Sequence, residues 1–216
     1  MSLIVCGSKE YNNRNFDELV DSFEVIVRSN MLLPDMGYGK KDSTIQVCNN
    51  HVYDHYQRKA EVDELYREYK EKTDRKHVKK FYDFFTKSQS KFVHYEHNNS
   101  KLMSYIIHFC GIEHSFNPNK GLLKCGLSYV AQCIFEGVKP FMVGFSLQED
   151  DLVQHSYNHH TNLYGGHDHE GEIDLIIKLH QKGLIDASFC LIEDKEEISF
   201  SNEFEPTPEA LEILKC

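Results

Sequence analysis

Four short runs of apolar residues constrain this chain more than any other feature. They are LIVCG (Leu3 to Gly7), FEVIVRSN (Phe23 to Asn30), TIQVC (Thr44 to Cys48) and FMVGF (Phe141 to Phe145). A strand with one wet face alternates apolar and polar residues, whereas a strand buried on both faces reads as a near-continuous apolar run. Between the first two runs, NFDELVDSF (Asn15 to Phe23) has helical spacing. Strand, helix, strand at this separation predicts parallel βαβ units, and so an α/β class with a mostly parallel sheet flanked by helices. FMVGF is expected as a central strand of that sheet.

The remaining segments extend the same rhythm. Arg58 to Lys91 is charged but carries Val62, Leu65, Tyr66, Tyr69, Val78, Phe81, Tyr82 and Phe85 at helical spacing, which predicts one or two amphipathic helices over the sheet. FVHY (Phe92 to Tyr95) is expected as a further strand. Leu127 to Phe135 is an apolar helix that Gly137 can end. Glu170 to Gln181 has helical spacing through Ile173, Ile176 and Ile177, with Gly183 as its stop, and SFCLIE (Ser188 to Glu193) is expected as the next strand. Thr207-Pro208-Glu209 reads as a helix start, with proline at the first helical position. No internal repeat or linker divides residues 1–216, so one domain is expected.

Composition narrows the function. Hydrophobic residues make up 40% and charged residues 27%, which supports a packed core and excludes wholesale disorder. Lys and Arg number 24 against 34 Asp and Glu, a net charge of −10 that disfavours nucleic acid and anionic membranes as partners. No apolar run reaches the roughly 18–20 residues of a membrane helix, and no signal-peptide pattern opens the chain, so no integral membrane segment and a cytoplasmic setting are expected. The seven cysteines contain no C-x-x-C pair and mostly sit in apolar runs, as reduced core thiols do.

Ligands of an open parallel sheet gather at the carboxyl ends of its strands. Three polar loops leave such ends: Gly7-Ser8-Lys9, Arg28-Ser29-Asn30 and Asn49-Asn50. Gly7 and Ser8 can present backbone N–H groups to a phosphate. Asn30 and Asn49 carry amides that donate and accept, as sugar and base recognition requires, although asparagine at a strand end also serves as a turn former. Gln148 to His169 lacks hydrophobic period, and a connection of that length is functional or disordered. It ends in Tyr164-Gly165-Gly166-His167, where two glycines let a histidine of ordinary pKa near 6.5 approach a substrate as a general base. The alternative use of the same stretch is a metal site drawn from His155, His159, His160, His167 and His169, with His155 and His159 at i, i+4 and Asp150, Asp151 and Asp168 nearby.

Taken in order, LIVCG, FEVIVRSN, GYGKK, QVCNN, KCGLSYVAQCIFEGVKPFMVGF and NLYGGHDHEGEIDLIIKLHQKGL resemble the bacterial CMP-sialic-acid-dependent sialyltransferases, glycosyltransferase family 42. In that family the second and third strands also end in asparagine, a G-K-K turn precedes the third, and a Tyr-x-Gly-His motif precedes a helix. The resemblance spans most of residues 1 to about 193 and is most specific at YGGH. It implies a single Rossmann-like nucleotide-binding domain with residues 148–166 as a flexible lid. It further implies His167 as general base, Tyr164 beside it, and Tyr157 as a lid tyrosine on the leaving phosphate. Gly7, Ser8, Asn30, Asn49, Lys124, Cys125 and Gly126 would bind the donor.

The implied reaction is an inverting, metal-independent transfer of sialic acid or a related nonulosonic acid from a CMP-sugar to a glycan hydroxyl. No cofactor is implied beyond the CMP-sugar itself. The implied partners are that donor and a glycan acceptor, within a homo-oligomer, in the cytoplasm or at the periphery of the inner membrane, in lipooligosaccharide or capsule biosynthesis. The chain departs from the family at three places. Its first loop is Gly7-Ser8-Lys9-Glu10-Tyr11 rather than Gly-Asn-Gly-Pro-Ser. Lys124-Cys125-Gly126 replaces Thr-Ser-Gly, which adds a cation near the donor carboxylate or phosphate, and Gln148 replaces one lid tyrosine. Two other classes stay open on the residues: a non-catalytic CMP- or sugar-binding domain, and a metalloprotein built on the His-rich loop.

Overall fold

Each of the four apolar runs becomes a strand, and all strands among the described residues run parallel. A computed structural model describes residues 2–7, 15–49, 53, 75–94, 99–113, 123–145, 147, 168–191 and 208. Strand β1 is Leu3–Cys6, β2 Val25–Ser29, β3 Ile45–Cys48, β4 Lys91–His94 and β5 Phe141–Val143. They form one sheet in the order β4-β3-β2-β1-β5, with parallel pairing throughout. The helices are α1 (Asp17–Asp21), α2 (Arg75–Lys87), α3 (Asn99–Phe109), α4 (Cys125–Phe135) and α5 (His169–Gln181). No helix among the described residues is long and apolar enough to cross a membrane.

Alternation along the strands sends side chains into two separate cores. Leu3, Val5, Val27, Val47 and Met142 pack against Met103 and Ile106 of α3, Leu127, Val130 and Ala131 of α4, and Leu175, Ile176 and Leu179 of α5. The opposite face carries Ile4, Cys6, Ile26 and Val143 against Phe16, Val20 of α1, Phe23, Leu32, Tyr38 and Phe189. Farther along that face, Cys48, Met31 and Leu33 meet Val78 and Phe81 of α2. The sheet is therefore covered on both sides, which is why its strands read as continuous apolar runs.

Two strand residues break that pattern and organise the loop between β2 and β3. Arg28 and Gln46 are aligned in the β2–β3 register and are fully buried on the α1 side. The Arg28 guanidinium donates from Nε and Nη2 to the Tyr38 carbonyl at 3.1 and 2.7 Å, and from Nη1 to Ser43 Oγ at 2.9 Å. Ser43 donates in turn to Gln46 Oε1 at 2.9 Å. Gln46 Nε2 then donates to the carbonyls of Asn30 and Leu32 at 2.7 and 3.0 Å. Asp17 accepts the Gly39 N–H, and Asp21 accepts those of Lys40 and Lys41, so α1 holds the outer limb of the same loop. Burial lowers the Arg28 pKa, with nearby Asp21, Asp42 and Asp17 opposing that effect.

The sequence expectations need two corrections. Among the described residues FMVGF is not a central strand: β5 closes one end of the five-strand order, with a parallel bridge from Phe141 to Asp186 beyond it. The described part of SFCLIE is not a strand; Ser188–Leu191 is a 3₁₀ turn. The Asp186 carboxylate accepts the Ser188 N–H at 3.0 Å and bends the chain there, while Phe189 stacks on Phe141 instead of joining a ladder. Helix α3 lies in a stretch with no element expected from sequence, and it buries Met103 and Ile106 on its inner side. Within Arg58 to Lys91 the described helix is α2; the part before Arg75 lies outside the described residues, as do 148–167 and most of the segment around Thr207.

Replacing Arg28 with Met should remove both guanidinium hydrogen bonds to the Tyr38 carbonyl and the one to Ser43 Oγ, at about 1–3 kcal/mol for a buried polar group that loses its charged donor. Urea unfolding of the variant should show a lower midpoint, and an unchanged midpoint would mean that the 31–43 loop does not depend on this guanidinium.

Candidate functional site

The carboxyl ends of β1, β2, β3 and β5 meet the start of helix α4. Chain order explains why this end is special. From β1 the chain steps outward through β2, β3 and β4, then returns to place β5 on the other side of β1. Helix α1, after β1, covers one face of the sheet, and α5, after β5, covers the other. Such a reversal opens a crevice at the strand ends of an α/β sheet.

Gly7 stands on one side of this reversal and Gly144 on the other. The Gly7 N–H donates to the Val143 carbonyl at 2.7 Å. A Cβ at Gly7 would collide with the Gly144 carbonyl, so only glycine lets the two backbones lie this close. Gly144 has φ +75°, and a Cβ there would sit 2.6 Å from the Tyr38 hydroxyl. Tyr38 is itself fixed by the Arg28 network, so the loop between β2 and β3 and the end of β5 are built against each other.

Asn30 is the centre of the cluster. It follows β2 with φ +51°, a left-handed conformation that asparagine tolerates better than most residues. Its N–H donates to the Val47 carbonyl and its carbonyl accepts from Gln46, so both backbone groups are fixed. Its side-chain Oδ1 receives the Asn49 N–H at 3.1 Å and the Cys125 thiol at 3.2 Å. With Oδ1 doubly engaged, the Nδ2 donors of this half-buried residue have no partner among the described residues. Ser29 closes the ladder beside it, donating to the Cys6 carbonyl at 3.0 Å.

Helix α4 brings Lys124, Cys125 and Gly126 to this edge. Gly126 lies against the Phe145 ring, and a Cβ there would come 2.9 Å from it. Burial holds the Cys125 thiol up at about 12; the N–H groups of Gly126 and Cys125 and the Asn30 contact pull the other way, and Glu172 adds to the rise. At neutral pH Cys125 is therefore a protonated hydrogen-bond donor and not a thiolate nucleophile. Lys124 Nζ pairs with Glu172 at 2.9 Å, so the cation expected near a donor phosphate is already matched by a carboxylate.

Among the residues expected from sequence, the structure brings Gly7, Asn30, Asn49, Lys124, Cys125 and Gly126 to one end of the sheet. Ser8, Tyr157, Tyr164 and His167 lie outside the described residues, as do His155, His159 and His160 of the metal alternative. Sequence reasoning missed Gln46 and Glu172, each a polar residue in an otherwise apolar pattern. Gln46 interrupts IQVC, and Glu172 occupies the helical stripe continued by Leu175, Ile176 and Leu179. No protein family and no curated protein matches this chain.

Thiols desolvated in and beside the sheet set an alkaline limit on stability, Cys48 among them, which burial raises well above its ordinary value. Burial raises Cys6, Cys125 and Cys133 from an ordinary 9.0 to about 12. The folded state keeps these protons where the unfolded state loses them, so the stabilisation is complete below pH 9 and is lost as pH rises towards 12. Urea midpoints measured from pH 7 to pH 11 should hold level and then fall above about pH 9. A midpoint that rises in the upper part of that range would contradict the burial of these thiols.

Proposed function

We propose that this protein is an inverting, metal-independent glycosyltransferase that moves sialic acid or a related nonulosonic acid from a CMP-sugar to a hydroxyl of a glycan. The observation that carries the reading is the convergence of Asn30, Asn49 and the start of α4 at the strand-order reversal, with the Asn30 amide donors uncommitted among the described residues. That is where an α/β sheet receives a nucleotide, and an amide suits recognition of a sugar or a pyrimidine. The sequence resemblance to glycosyltransferase family 42 supplies the choice of CMP, and with it a Rossmann-like description of the domain and a lid at 148–166.

In this reading Asn30 and Asn49 hold the nucleoside part of the donor. The Gly7 N–H is taken by the Val143 carbonyl, so in this reading the phosphate is met by the N–H of Ser8, aided by the amino end of α4. Cys125 and Gly126 form the wall nearest the sugar, where the thiol donates a hydrogen bond and carries no charge. Lys124 serves as half of an ion pair, so the site offers the donor little net positive charge from this residue. His167 removes the proton of the acceptor hydroxyl as the donor passes through an oxocarbenium-like state, a contribution of about 10²–10⁴-fold. Tyr157 and Tyr164 stabilise the negative charge that develops on the departing CMP.

Thermal unfolding with CMP, CDP, UDP, GDP and AMP, with and without EDTA, tests the donor assignment. Saturation at about 100 times the dissociation constant should add about 2.7 kcal/mol of stability, for CMP alone and regardless of EDTA. His167→Ala should then keep CMP binding and abolish transfer from a CMP-sugar. Binding without turnover in the unsubstituted protein would favour the non-catalytic domain, and destabilisation by EDTA alone would replace the transferase with a metalloprotein.

A further inference from the structure

Glu172 occupies a position that the fold would fill more cheaply with leucine. It lies in the first turn of α5, is 2% exposed, and shares its helical stripe with Leu175, Ile176 and Leu179. Burying a carboxylate costs free energy unless its oxygens are matched, so what they touch matters. Both go to one residue. Oε1 accepts the backbone N–H of Lys124 at 2.7 Å, and Oε2 meets its Nζ at 2.9 Å.

Lys124 is the residue that starts α4, and its own side chain makes no capping hydrogen bond to that helix. The fixing contact comes instead from the neighbouring helix, whose own start is capped by Asp168 accepting the Gly171 N–H. One residue beyond Lys124, Cys125 donates to Asn30 Oδ1, which also receives the Asn49 N–H. The contacts thus run in series from α5 through Glu172 to the start of α4, to the end of β2 and to the end of β3. We infer that Glu172 is the positioning residue of this site: its carboxylate sets where α4 begins and thereby aligns the Cys125–Asn30 contact with the first turn of α5. What the site binds rests on the reading proposed above; that Glu172 holds it together does not.

The test compares Glu172→Leu, which suits the apolar stripe but loses both contacts, with Glu172→Gln, which keeps an acceptor for the Lys124 N–H. Alkylation of Cys125 by N-ethylmaleimide, followed peptide by peptide, reports local opening, and calorimetry with CMP reports the site. Glu172→Leu should speed Cys125 alkylation by about tenfold or more and weaken CMP binding by a similar factor, while Glu172→Gln stays within about threefold of the parent protein. A change in global stability alone would not produce that rescue by glutamine. If Glu172→Leu does not fold, Glu172→Asp, one methylene shorter and still charged, should show the same acceleration. Unchanged alkylation in a folded Glu172→Leu or Glu172→Asp protein overturns the inference. A parent protein that ignores CMP overturns the nucleotide reading instead, and leaves the alkylation rates to decide the role of Glu172.

Discussion

A guanidinium buried on an apolar sheet is the constraint around which this molecule is arranged. Arg28 has no surface, and its desolvation is offset by a carbonyl that accepts two of its N–H groups and a hydroxyl that accepts a third. Those acceptors belong to Tyr38 and Ser43, so the loop between β2 and β3 must fold back over the strand that it has just left. Ser43 hands the interaction on to Gln46, and Gln46 fixes the Asn30 and Leu32 carbonyls. A buried polar network of this kind is stabilising only when its members are satisfied, and here each hydrogen bond positions the next group.

The site inherits its geometry from that chain of bonds. Asn30 holds its left-handed backbone because both its N–H and its carbonyl are engaged, which leaves the side chain to mediate between strands and helix. The other half of the site comes from the opposite layer, where α4 and α5 start beside one another and are joined through Lys124 and Glu172. Two buried polar systems, one on each side of the sheet, thus meet at a single asparagine. Glycines at positions 7 and 144 allow the backbones at the strand-order reversal to close against each other without a side chain between them.

Much of this was legible in the residues. The near-continuous apolar runs pointed to the parallel strands, because a strand buried on both faces seldom carries a polar alternate, Arg28 and Gln46 being the exceptions that the buried network satisfies. Asn30 and Asn49 were recognisable as strand-end amides, and Gly137 and Gly183 do end their helices with positive φ. SFCLIE misled because an apolar run says that a segment is buried and not that it is extended; the Asp186 side chain decided the turn. FMVGF lies at the end of the described strand order although it reads like a middle strand. Its two faces are covered by the helices and by Phe189, so burial does not require strands on both sides. Lys124 was read as a cation for a ligand because its partner lies 48 residues away, a separation that no local pattern reports.

The sequence by itself determined the class of fold, the identity of most strands and helices, and the residue types gathered at strand ends. Those properties follow from local periodicity and from the side-chain requirements of turns, which each segment carries independently of the others. Only the tertiary structure decided which of these residues meet, because the strand order, the pairing of Arg28 with Gln46, the shared Asn30 oxygen and the grip of Glu172 on Lys124 all join segments distant along the chain. Their geometry depends on how the layers pack, and packing is settled by the whole set of buried contacts at once.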